Sequence, residues 1–173
     1  MASSQLAPLK FAVMDNRVDM ANLLIDAGAS AKDADDARSM LNLCTVNDSV
    51  EMLECLFKTG ILDLLEFNDV ANQMHTMASG NSHGLLRACL DHAVENEADL
   101  PRLLAHKDSR GQTLLLNAVT SQGPVNVLTV KLLIRHGADV LEVSEHGQTV
   151  EELLRLNRGS DYQEIIDFLD ERM

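Results

Sequence analysis

The apolar residues of this chain come in short stretches, each closed by Asn, Asp or Gly, and one stretch occurs twice. Leu23-Leu24-Ile25-Asp26-Ala27-Gly28-Ala29 returns as Leu132-Leu133-Ile134-Arg135-His136-Gly137-Ala138. A leucine pair running into glycine reads as a helix ended by a residue with positive φ. Its recurrence predicts a chain of short helices built from copies of one small unit. A unit of that size cannot bury its own apolar face and must stack on neighbours.

Placing one frame along the chain gives five copies. Ala7-Pro8-Leu9-Lys10 leads to Ala12, Asn16 and the first leucine pair, and Ser39-Met40-Leu41-Asn42 leads to Cys44, Asp48, Cys55-Leu56 and Gly60. Asn72-Gln73-Met74-His75 opens the third copy, with Met77, Asn81 and Ala88-Cys89-Leu90. Thr113-Leu114-Leu115-Leu116 opens the fourth and Thr149-Val150-Glu151-Glu152 the fifth, which holds Ile165-Ile166. Starts near 7, 39, 72, 113 and 149 are spaced by 32, 33, 41 and 36 residues. Each unit is expected to hold a first helix, a turn at Asn16, Asp48, Asn81 or Gly123, and a second helix ending at Gly28, Gly60 or Gly137. Ser39, Asn72, Thr113 and Thr149 are placed to cap the first helices. Thr149 and Glu152 have capping-box spacing.

The pattern resembles the ankyrin repeat, whose signature is Thr-Pro-Leu-His, then Ala, a leucine pair and Gly-Ala-Asp. The best matches are Ala7-Pro8-Leu9-Lys10, Gly111-Gln112-Thr113, Gly137-Ala138-Asp139 and Gly147-Gln148-Thr149. No copy carries the full tetrapeptide. The resemblance implies an all-α, ankyrin-type α/α solenoid of five helix-turn-helix repeats with hairpin-like fingers, a single domain over residues 1–173. It also places His75 as a brace between units. Two insertions depart from the repeat length. One, at 94–107, is expected to carry an extra helical turn from Leu100, since Asp99-Leu100-Pro101 reads as a cap followed by proline. The other lies around Ser121-Gln122-Gly123-Pro124.

Composition narrows the chemistry. With 46% hydrophobic but only 3% aromatic residues, the core must be aliphatic. In the repeat frame Cys44, Cys55 and Cys89 fall on packing positions, and their spacing matches no zinc motif. No phosphate loop, nucleophile elbow or metalloprotease run is present, so no cofactor, metal or catalytic residue is expected. The chain offers neither a basic start nor an apolar run of the ~18 residues that span a bilayer. A cytoplasmic or nuclear location is the expectation.

Charge points to the partner. Fourteen basic against 27 acidic residues give a net charge of −13, so neither nucleic acid nor an anionic membrane is expected as a partner. The junctions 60–72 and 137–149 hold Asp63, Glu66 and Asp69, and Asp139, Glu142 and Glu145, with no Lys or Arg. In the first of them Ile61, Leu62, Leu64, Leu65, Phe67 and Val70 interleave with the acids, and either the protein or a partner must cover them.

Ankyrin-like proteins bind through finger tips and the exposed face of the first helices. That resemblance implies Glu66, Phe67, Asn68 and Asp69, then Ser109, Arg110 and Gln112, then Glu142, Glu145 and His146 as finger contacts. On the helices it implies Met14, Asp15, Val46, Asn47, Ser79, Gly80, Thr120 and Ser121. The expected function is a non-catalytic module binding or masking another protein that carries a Lys/Arg-rich or mixed basic and apolar segment, as an inhibitor resembling the IκB-like proteins would. A structural adaptor or assembly chaperone is the alternative, and an enzyme with a dispersed site the third.

Overall fold

A computed structural model describes residues 8–80, 82–120, 126–156 and 160–170. Among these the fold is all-α, with eleven α-helices, one 3₁₀ turn and no strand beyond an isolated bridge. The chain divides into two compact units, Met1–Gln73 and Met74–Met173.

The first unit holds α1 (Pro8–Met14), α2 (Val18–Asp26), α3 (Ala34–Asn47), α4 (Val50–Phe57), a 3₁₀ turn at Ile61–Leu64, and the opening turns of α5 (Phe67–Ser79). Asn16 and Asp48 turn the chain between paired helices with φ of 52° and 47°. Asn and Asp tolerate this left-handed conformation better than other side chains do. At the end of α2, Gly28 donates to the Ile25 carbonyl at 2.8 Å and Ala29 to Leu24 at 2.9 Å. This is the Schellman motif that the leucine-pair sequence predicts. Packing joins α1 to α2 and α3 to α4, and sets α1 on α3 and α2 on α4.

Two expected helix starts are corrected. The helix assigned to Ser39 begins at Ala34, because Asp33 accepts from the Asp36 amide at 2.9 Å and Asp35 and Asp36 place negative charge in the first turn. Ser39 is therefore inside α3, and the end of the expected finger 29–38 is helical. The helix assigned to Asn72 begins at Phe67, so Asn72 lies inside α5. The expected finger 60–72 is instead the 3₁₀ turn and the first turns of that helix. Ile61 is only 1% exposed and Ala71 is buried, while Leu62, Leu65, Phe67 and Val70 are half-buried and Leu64 is exposed. The protein itself covers most of this apolar stretch. Arg38 on α3 holds Asp69 on α5 through two hydrogen bonds, of 3.0 and 2.9 Å. The guanidinium pushes the Asp69 carboxyl below its ordinary value, and Arg38 itself is raised by Asp69 and Asp35.

The second unit continues α5 and adds α6 (His83–Glu95), α7 (Leu100–Ala105), α8 (Leu114–Thr120), α9 (Val127–Arg135), α10 (Val150–Leu156) and α11 (Ser160–Asp170). The insertion forms α7 as expected: Asp99 accepts from the Arg102 amide at 3.2 Å, with Pro101 in the first turn. Here α8 pairs with α9 and α10 with α11, while α8 packs on α10, α9 on α11 and α6 on α9. At the end of α9, Gly137 donates to Ile134 at 3.1 Å and Ala138 to Leu133 at 3.0 Å, the same bonds as at Gly28. The capping box forms in both directions, with Glu152 accepting from the Thr149 amide at 2.9 Å and Thr149 from the Glu152 amide at 3.2 Å. The expected turns at Asn81 and Gly123, the start at Ala7 and the insertion around Ser121 lie outside the described residues.

The core is aliphatic, with Leu9, Met40, Leu53, Met74, Leu85, Leu86 and Leu114 fully buried. Each such side chain contributes roughly 1.5–3 kcal/mol on leaving water. Cys44, Cys55 and Cys89 are buried among them. Burial pushes the Cys44 thiol up to about 12 and raises Cys55, which fits packing residues rather than nucleophiles.

Candidate partner-binding edge

Two tight turns in the second unit are copies of one another. Asp108 donates its amide to the Gln112 carbonyl at 2.9 Å and Gly111 donates to Asp108 at 2.9 Å; Ser144 to Gln148 and Gly147 to Ser144 repeat both bonds at 2.9 Å. Gly111 and Gly147 sit at φ of 74° and 72°, where a side chain is strained. Each turn is also closed from its first side chain. Asp108 Oδ1 accepts from the amides of Arg110 and Gln112 at 2.8 and 3.0 Å. Ser144 Oγ accepts from those of His146 and Gln148, both at 3.3 Å. Such side-chain closure is why Asp and Ser open turns. An antiparallel bridge between Val143 and Thr149 makes the second turn a short hairpin.

A saturated polar network anchors the first turn to α8 and α5. Asn117, 1% exposed on the otherwise apolar α8, donates to His75 Nδ1 at 2.8 Å and to Asp108 Oδ2 at 3.0 Å. Its carbonyl oxygen accepts from Arg110 Nη2 at 2.6 Å, which fixes the orientation of the amide. His75 Nδ1 is then an acceptor, so a neutral ring carries its proton on Nε2 and donates it to His106 Nδ1 at 3.1 Å. Burial pushes His75 below its ordinary value. Burial raises Asp108, but the bonds from Asn117, the Gln112 and Arg110 amides and the Arg110 guanidinium outweigh it and hold the carboxyl at about 2. His75 is thus hydrogen-bonded to both Asn117 and His106, while Arg110, at the edge of the network, is exposed.

The predicted site residues fall into distinct situations. Ser109, Arg110, Glu145 and His146 stand exposed on the two turns. Gln112 does not: it is 7% exposed and accepts from Thr120 Oγ1 at 2.9 Å, so Gln112 and the half-buried Thr120 tie the turn to the end of α8. Glu142 is mostly covered, 3.8 Å from Lys107. In the first unit Met14, Asp15 and Val46 are exposed, while Asn47 donates to the Val13 carbonyl at 3.2 Å and thereby joins the ends of α1 and α3. Glu66 and Asn68 are exposed at the start of α5, Phe67 is half-buried and Asp69 is held by Arg38. Ser79 and Gly80 are exposed, and Ser121 lies outside the described residues.

Two residues were missed. Leu141 and Val143 on the last finger are 75% and 47% exposed, between Asp139 and Glu145. The alternation of apolar and acidic residues in 139–145 was their signal, the same one read at 61–70. Among the described residues no group of three or more His, Cys, Asp or Glu side chains is placed to hold a metal ion, and no helix is long and apolar enough to cross a membrane. Neither the protein-family models nor the curated protein sequences give a match to this chain.

Proposed function

We propose that this chain is a non-catalytic protein-interaction module of ankyrin-repeat type, each unit a short run of repeats. Its last finger, residues 139–149, binds or masks a partner segment in which apolar anchors are flanked by Lys or Arg. The observation carrying this reading is the exposure of Leu141 and Val143 on a finger whose exposed acids are Asp139 and Glu145. Apolar side chains on a hydrogen-bonded turn supply buried area with part of the backbone ordering already made, and the carboxylates supply charge complementarity.

The repeat assignment is supported by contacts at one repeat's distance. Cys55 donates to Asn22 at 3.1 Å across 33 residues, and Asn47 to Val13 across 34. Where the sequence carries insertions the separations lengthen, to 42 residues for His75 with Asn117 and 46 for His83 with Thr129. The matched Schellman ends and the matched turns support it as well.

The test is affinity capture with the full chain at low and high salt, beside Leu141→Ser, Val143→Ser and Glu145→Lys variants. A protein captured by the wild type, released by salt and lost from all three variants is the expected result. Equal capture by wild type and variants would refute the finger as the binding edge.

A further inference from the structure

On a chain of net charge −13, one groove of the second unit gathers cations. It lies between α6 and α9, encloses about 560 Å³, and is lined by His83, Arg87 and Asp91 from α6 and by Leu128, Lys131, Arg135 and neighbouring residues from α9. Helical periodicity produces it: Leu85, Leu86 and Leu90 of α6 and Val130, Leu133 and Ile134 of α9 turn inward and are buried. The polar faces of both helices are left outside and adjacent.

The carboxylates that face these cations neutralise them only in part. Asp91 meets Arg87 at 3.4 Å, long for a charge-assisted hydrogen bond, and lies 3.9 Å from His136 Nε2, a contact that is ionic only when the imidazole is protonated. Glu164 on α11, itself 63% exposed, takes the largely covered Lys131 at 2.7 Å, which leaves Arg87 and Arg135 as the cations open to a ligand. Arg135 has no carboxylate partner among the described residues and lies 5.8 Å over the Phe168 ring, with Lys131 at 5.3 Å over the same ring. An aromatic face holds a cation in place without cancelling its charge. Leu128, 61% exposed, and the half-buried Leu132 give the groove an apolar floor.

We propose that this groove binds an acidic, leucine-bearing segment of a partner protein. Its carboxylates pair with Arg87 and Arg135, and its leucine covers Leu128 and Leu132. Charge complementarity selects this occupant. A ligand small enough to lie within the groove feels the local cations, since charges are screened over about 8 Å at physiological salt. An extended polyanion would also meet the acidic remainder of the surface. The chain would then present surfaces of opposite sign, and an adaptor joining two partners is the role that combination fits.

The experiment is fluorescence anisotropy of the full chain against an array of short labelled peptides alternating Glu and Leu. A matching set carries Gln for Glu, and a single-stranded DNA oligonucleotide serves as the other anionic probe. Binding to the Glu peptides that weakens with salt and falls roughly tenfold in the Arg87→Glu, Arg135→Glu double variant is expected. Leu128→Ser, at an exposed position, weakens it independently, and circular dichroism establishes that the variants are folded. Leu141→Ser leaves it unchanged, which separates this groove from the finger edge. Equal binding of the Gln set, unchanged affinity in the double variant, binding of the oligonucleotide alone, or no binding of the Glu peptides would each overturn the proposal.

Discussion

The Asn117 amide donates to the Asp108 carboxylate at 3.0 Å across nine residues of chain, joining a surface turn to a buried helix. Because the same amide also meets His75 and Arg110, three separate segments depend on one side chain.

Asn117→Ala is expected to cost about 1–3 kcal/mol, since it leaves the buried His75 nitrogen unsatisfied, while Asp108 Oδ2 keeps its two bonds from the Arg110 guanidinium at 3.2 Å. Urea denaturation measures this as a fall in midpoint. A loss below about 1 kcal/mol would mean that water replaces the amide.

Acid should destabilise the second unit in two stages. His75 is held below its ordinary 6.5 by burial, so the unfolded chain binds a proton first; the stability it contributes is complete above 6.5 and is lost as pH falls through the folded value. Asp108, at about 2 against an ordinary 3.8, contributes on the order of 1–2 kcal/mol after allowing for solvent screening, lost between those values. Denaturation midpoints across pH, with His75→Gln and Asp108→Asn as controls, should lose the first and second stage respectively.

Thr149→Ala and Glu152→Ala should each lower stability by about 0.5–2 kcal/mol. Because each side chain accepts from the other residue's amide, the double variant should cost a different amount from the sum. Strict additivity in a double-mutant cycle would mean that the two bonds form independently.

Gly137→Ala isolates backbone strain. The added methyl would meet nothing within 4 Å, so the cost arises from φ of 96° alone and should be about 1–2 kcal/mol. A similar loss is expected for Gly28→Ala, whose methyl also meets open space. A loss well above that from thermal melts would require a contact at the glycine that the structure lacks.

Leu141→Ser and Val143→Ser should leave the melting temperature within about a degree of wild type, since exposed positions contribute within about 0.5 kcal/mol. Any loss of partner capture in these variants then reports binding alone.

Much of the local structure was legible because it is written within a few residues. The Gly28 and Gly137 helix ends, the Asn16 and Asp48 turns, the Asp99 cap of α7 and the Thr149–Glu152 box each require only neighbours in sequence. The candidate edge was legible in part, since Ser109, Arg110, Glu145 and His146 do stand exposed on turns. Gln112 and Asp69 misled because exposure depends on distant partners: Thr120 covers the first and Arg38 holds the second.

The sequence by itself determined that the described residues are helical, that the core is aliphatic and that Gly28 and Gly137 end α2 and α9, because helix periodicity, caps and positive-φ turns are short-range; Gly60, expected to end α4, instead opens the 3₁₀ turn after it. The tertiary structure decided that α5 reaches back to Phe67 and where the apolar stretch 61–70 goes, whereas the Asp33 cap that starts α3 is itself local. Lys10 meets Asp36 at 3.0 Å across 26 residues and Arg38 meets Asp69 across 31, and contacts so distant do not appear in any local pattern. Of the expected fingers, 29–38 ends in helix and 60–72 is a 3₁₀ turn and helix, while the last, 137–149, keeps Leu141 and Val143 exposed.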